Sequence, residues 1–203
     1  MDTTESALAE RLKNASTSRF AVQSVSSHPV EVLCDDYPFT QTVYQGVLLY
    51  DEPSEYTPGR EIKIDFEYRD GSGLFILELN TDVGSVDELA QAVSDAIPEQ
   101  FTVYRNLHVP EDALWEFLSQ ADSVIDIRVL AEGSEVSYDE IEDVDPSKVI
   151  GNYAIESAEV GFVIEGHNIV VKYHQGDLQI ETSWVDGQEY IIQLFERDVL
   201  AGA

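Results

Sequence analysis

Cysteine, basic residues and long apolar runs are all scarce in this chain, and each scarcity excludes something. The single cysteine, Cys34, rules out an intramolecular disulfide and a cysteine-based zinc site. No apolar run approaches the ~20 residues that a helix needs to cross a bilayer. The first residues, MDTTESALAERLKN, have neither a basic start nor an apolar stretch after it, so a signal peptide is not expected and a cytoplasmic location is. Also missing are the glycine-rich dinucleotide fingerprint, the phosphate-binding loop ending in Lys-Ser/Thr, the His-Glu-x-x-His zinc helix, the calcium loop and the Gly-x-Ser-x-Gly elbow. The common nucleotide, zinc-protease and hydrolase classes are therefore disfavoured, and no cofactor is expected.

The charge balance is extreme. Eleven Lys and Arg stand against 40 Asp and Glu, a net −29, and only four residues are Lys (Lys13, Lys63, Lys148, Lys172). The acids are dispersed rather than gathered in a tail. That pattern suits a cytoplasm of multimolar salt, where a Debye length of about 3 Å screens self-repulsion and hydrated carboxylates keep the chain dissolved. Such a charge disfavours nucleic acid and anionic membranes as partners. In a halophile the nucleic-acid argument weakens, because proteins there are acidic whatever they bind.

With 43% hydrophobic and 10% aromatic residues, the 203-residue chain can build a core. Arg60–Asn80 carries the clearest pattern. Ile62, Ile64, Phe66 and Tyr68 alternate with Glu61, Lys63, Asp65 and Glu67, which predicts a strand with one apolar and one charged face. Asp70–Gly73 is turn chemistry, and Leu74–Leu79 follows as the expected central strand of a sheet. Before this hairpin, residues 3–14 predict a short helix. Arg19–Ser26, Pro29–Cys34 and Gln41–Tyr50 predict strands, with Gly46 at a bulge or close approach. After it, Ser85-Val86-Asp87-Glu88 predicts a capping box opening a helix that Pro98 ends. A strand over Phe101–Leu107, a helix from Val109-Pro110 and a strand over Val124–Leu130 complete a β-α-β-α-β segment. The last third predicts a meander. If Gln175-Gly176 is a two-residue loop, Tyr173 faces Leu178 and Val171 faces Ile180. A helix capped by Asp186, with Tyr190, Ile191, Leu194 and Phe195 inward, closes it.

The expected fold is α+β, mostly antiparallel, with a central β-α-β-α-β segment and a C-terminal β-meander closed by a helix. The expected division is an α+β region over 1–132, an acidic connector over 133–150 and the meander with its helix over 151–203, packed on the first region.

Few residues break these patterns. Arg105 shares parity with Phe101, Val103 and Leu107, so a continuous strand would point it inward, where it would need a carboxylate or a bound anion. The plain alternative is that the strand ends first. His108 lies beside it. Tyr56, in the Asp51–Gly59 loop, is the aromatic least explained by packing and is a candidate interface contact. Asp139, Glu140, Glu142, Asp143 and Asp145 form the densest acidic run, which reads either as a divalent-cation site or as a solvated loop, the latter favoured. Cys34 and His28 are too far apart along a strand for a thiol dyad, and parity with Val30 and Val32 makes Cys34 a core thiol. His167 and His174 fall at turns on opposite faces of one strand. No metal site is assigned.

These readings favour a soluble, non-enzymatic interaction or regulatory module, pairing with a protein partner or with itself through a sheet edge or a tyrosine-bearing face. An enzyme using Arg105 or the 139–145 acids is the alternative, and a nucleic-acid-associated protein acting at high salt the third.

Overall fold

The computed structural model describes residues 14, 17, 19–53, 59–96, 109–131, 133–138, 140, 153–174 and 177–201. Its architecture is α+β, and the chain divides into two units. One comprises Met1–Glu31 with Phe39–Arg105, the other Val32–Pro38 with Asn106–Ala203.

The first unit is built on a four-stranded antiparallel meander. Its strands are β1 (Phe20–Pro29), β2 (Thr42–Glu52), β3 (Arg60–Arg69) and β4 (Phe75–Glu78), in that spatial order. The alternation in β3 works as the sequence implies: Ile62, Ile64 and Phe66 are buried, while Glu61, Lys63 and Asp65 are exposed. Tyr44, Leu48 and Tyr50 lie on the same face of β2, and Leu89 and Val93 of helix α1 (Val86–Ala96) close the core over them. The N-cap half of the expected capping box forms, with the Glu88 amide donating to Ser85 Oγ at 3.2 Å. The β3–β4 turn closes by Arg69 N–H to Leu74 O at 2.9 Å, and Gly73 takes φ 74°, a conformation that glycine reaches without a Cβ clash.

Gly46 is a place of close approach. The β1–β2 register shifts between Val22 and Ser24, and a Cβ at Gly46 would overlap the Ser24 carbonyl oxygen and stand 2.6 Å from the Phe66 ring. The bulge and the glycine are thus one feature: the bent β1 leans onto a β2 that must lack a side chain there.

The second unit is a five-stranded antiparallel sheet in the order β6-β5-β7-β8-β9, with helices on one face. Helix α2 (Glu111–Ser119) precedes β5 (Ser123–Ala131) and β6 (Ser134–Ser137). Then come β7 (Ala154–Ile164), β8 (His167–His174) and β9 (Asp177–Thr182), and helix α3 (Gly187–Phe195) closes the unit. Ile127, Val129, Val160, Phe162, Ile169 and Val171 face inward against Leu114, Phe117, Ile191 and Leu194. Phe117 packs edge-on to Phe195, with ring centroids 5.4 Å apart. The expected register holds, since Tyr173 pairs with Leu178 and Val171 with Ile180. The β7–β8 turn is Glu165-Gly166, both at positive φ (50° and 82°), the combination that matches hairpin twist. His167 therefore opens β8 rather than lying in the turn.

Several expectations need correction. β4 is an edge strand among the described residues, not the central one, and β5 belongs to the other sheet. The β-α-β-α-β segment thus has its first and last strands in different sheets. Its middle strand, Phe101–Leu107, lies outside the described residues, as do 3–13 of the expected first helix and the Gln175-Gly176 loop. β5 and β7, which flank residues 133–150, pair with each other within the second unit. Pro29–Cys34 is not a strand: β1 ends at Pro29, and nothing from Val30 to Gln41 joins a ladder. Asp186 sits at the N-cap of α3, but its side chain makes no cap hydrogen bond.

Candidate functional site

Arg105, His108 and Tyr56 lie outside the described residues, and so do Asp139, Glu142, Asp143 and Asp145. Glu140 is exposed, with its amide donating to Ser137 O. Among the described residues no group of three or more His, Cys, Asp or Glu could hold a metal ion, and no helix is long and apolar enough to cross a membrane.

Several polar and titratable side chains gather around the segment Val32–Pro38 in the second unit. Gln193, fully buried on α3, accepts hydrogen bonds through Oε1 from the amides of Leu33 (2.8 Å) and Cys34 (3.3 Å). Its own Nε2 donates to Glu189 Oε1 at 2.6 Å. The Tyr37 hydroxyl donates to Glu196 Oε2, also fully buried. Arg197 donates to Asp35 O at 3.1 Å and pairs with Asp198 at 2.6 Å. Just past α3 the helix widens into a π-turn, Glu196–Leu200. Widened turns of this kind are frequent at functional sites. Here the turn presents Glu196 and Arg197 to a strap of chain with no ladder of its own. The strap takes from side chains the hydrogen bonds that a sheet would have supplied.

Cys34 is 2% exposed at the centre of this strap. Burial pushes its thiol above the usual range, and the neighbouring Arg197 charge offsets this only in part. A nucleophile needs the opposite shift and access to solvent. Cys34 is therefore a buried core thiol, as expected. Its burial comes from the strap docking on α3, not from strand parity, for Val32 is 60% exposed. Sequence reasoning missed Gln193 and Glu196. The signal was there: Tyr190-Ile191-Ile192-Gln193-Leu194-Phe195 is apolar nearly all round, which marks a helix buried on more than one side. A polar residue on such a helix must have an internal partner.

Arg69 was missed for a different reason. Its parity places it with Glu61, Lys63, Asp65 and Glu67 on the charged face of β3, yet it is fully buried, its guanidinium 2.5 Å from Glu67 Oε1. It pairs across the ladder with the buried Val43, so this end of the charged face is covered.

Among the described residues the four sheet edges differ from one another. β4 and β6 are four residues each. β9 has six and carries Asp177 and Glu181. Shortness and charge are the usual guards against pairing with another chain. β1 has ten residues, and Phe20–Val30 contains no Asp, Glu, Lys or Arg in a chain otherwise dense with acid. Only the bulge and Pro29 interrupt it. Among the described residues no strand pairs with its outer side. Ser24, Ser26, Ser27 and His28 are exposed along it. The adjacent strand continues the theme, because Tyr37–Tyr50 is likewise without charge.

The open face of the second sheet has the opposite character. Lys172 on β8 reaches Glu181 on β9 at 2.8 Å and Glu159 on β7 at 3.9 Å, which raises its pKa. Arg128 on β5 pairs with Asp126 at 3.1 Å and with Glu135 on β6 at 3.5 Å. Beside this sheet the His167 ring stacks on Trp184, with centroids 5.6 Å apart.

Comparison with protein-family models, curated proteins and solved structures gave no match to this chain.

Proposed function

We propose that the chain is a non-enzymatic interaction or regulatory module of a halophilic cytoplasm, and that it engages its partner through the outer edge of β1. The observation that supports this reading is the contrast between β1 and the other three edges. A long strand with a free row of amides and carbonyls is a template for strand addition, in which main-chain hydrogen bonds supply the affinity. The guards that normally prevent such pairing are weak there. The chemistry also fits the solvent. Multimolar salt screens recognition between surface charges, whereas a backbone ladder between uncharged strands loses little.

The test is the native size of the chain in extracts of native cells held at high salt throughout. It should migrate above its own 22.7 kDa, and Ser26→Glu, a charge on the exposed edge, should return it to the monomer position. Monomer migration of the unaltered chain, or a complex that ignores Ser26→Glu, would sink the proposal.

A further inference from the structure

Resting on that reading, we infer that the occupant of the β1 edge is a second copy of this chain, joined antiparallel across a two-fold axis over Ser24–His28. Two features of the structure carry the inference. The first is geometric. An antiparallel ladder is self-complementary under a two-fold axis, so one strand can serve as both partners. Beyond the bulge at Val22/Ser24, β1 runs in regular register with β2 from Ser24 to Pro29. Pro29 has no N–H to give, so the regular segment available for pairing is Ser24–His28. Its side chains are small apart from His28, and centring the axis on Ser26 sets Ser24 opposite the His28 of the other copy.

The second feature is electrostatic. Two chains of −29 repel wherever their acids face each other. Phe20–Val30 is free of acid, and β2 next to it bears none before Asp51. The strand with carboxylates along its length is β3, bearing Glu61, Asp65 and Glu67. In a β1–β1 dimer the two β3 strands stand five strand spacings apart, about 24 Å at ~4.8 Å each. The Debye length is about 8 Å at physiological salt and about 3 Å at 1 M, so this repulsion is screened at either concentration and nearly abolished at the higher. β9, by contrast, would bring Asp177 and Glu181 of both copies to the seam. A five-residue ladder is a small interface, so the dimer is a reversible one that tightens as salt rises.

Sedimentation equilibrium of the purified full chain in multimolar KCl, over a wide concentration series, tests this. The average mass should climb from 22.7 kDa toward twice that value, and should climb less at low salt. Ser26→Glu sets like charges against each other across the axis and should weaken association about tenfold or more. Ser24→Glu serves if Ser26→Glu does not fold, with circular dichroism confirming the fold of whichever is used. Ser183→Glu, the same change at an exposed position of the second unit, should leave association unaltered. A mass fixed at the monomer value over the whole series overturns the self-pairing, as does association that neither edge variant weakens. If the pure chain is monomeric but its complex in cell extracts is lost with Ser26→Glu, the second copy falls while the docking edge stands. If that complex is insensitive to Ser26→Glu, both fall.

Discussion

The two sheets of this protein meet the same solvent in opposite ways. The sheet of the second unit wears its charges as cross-strand ties, with Lys172 and Arg128 each reaching acids on neighbouring strands, and its edges are short or acidic. The sheet of the first unit concentrates charge on β3 and leaves β1 and most of β2 with none. A chain with 40 acids has no shortage of material for guarding an edge. Yet β1, the longest sheet edge among the described residues, carries none of them, and the proposed docking surface rests on that contrast.

The sharpest break between the units should come from a charge in the first core. Ile64 is 1% exposed between Leu48 and the helix layer, and Ile64→Asp would bury a carboxylate with no partner. We expect the first unit to unfold, read by loss of amide protection across β1–β4. Lys63→Glu, one residue away on the exposed face, should leave protection unchanged; unfolding there would mean that the faces are inverted.

Gly46→Ala comes next. The added methyl meets the Ser24 carbonyl and the Phe66 ring, and overpacking of this kind costs about 1–3 kcal/mol. Both tryptophans, Trp115 and Trp184, lie in the second unit. Tryptophan fluorescence should therefore report less of the loss than amide exchange in β2. Equal loss by both probes would show that the units unfold as one.

In the second unit Gln193→Leu removes the acceptor shared by two strap amides. Orphaned buried donors cost about 1–3 kcal/mol. The strap should loosen, and Cys34 should become alkylatable at neutral pH, where the unaltered thiol reacts slowly. Because burial raises the folded thiol's pKa, the associated stability is complete below the ordinary thiol range and is lost as pH rises through the folded value. Gln193→Leu should weaken that alkaline dependence, and an unchanged alkylation rate would refute the strap's role. The smallest effect belongs to Lys172→Ala, which cuts exposed ties to Glu159 and Glu181. The unfolding midpoint should move slightly at low salt and not at all in multimolar KCl.

Much of this architecture was legible in the sequence where one residue's neighbours decide its face. The β3 alternation, the Gly73 turn, the Ser85 cap and the β8–β9 register all follow from periods of two or from turn chemistry within a few residues. The sheet to which a strand belongs has no such signature. A strand, a helix and another strand read alike whether the strands share a sheet or not, so β4 and β5 were joined when each belongs to a different sheet. The strap failed for a related reason. Val30, Val32 and Cys34 mimic the alternation of a strand, while the hydrogen bonds that fix Leu33 and Cys34 come from Gln193, about 160 residues away. The bare edge of β1 was legible as composition, but it acquires meaning only once Phe20–Pro29 is seen to lie at the margin of its sheet.

Amide hydrogen exchange along that margin, compared between dilute and concentrated protein in multimolar KCl, tests the central claim most directly. Exchange should slow with concentration at amides within Ser24–His28 and stay constant along β9. Concentration-independent exchange at Ser24–His28, or equal slowing at both edges, would contradict it.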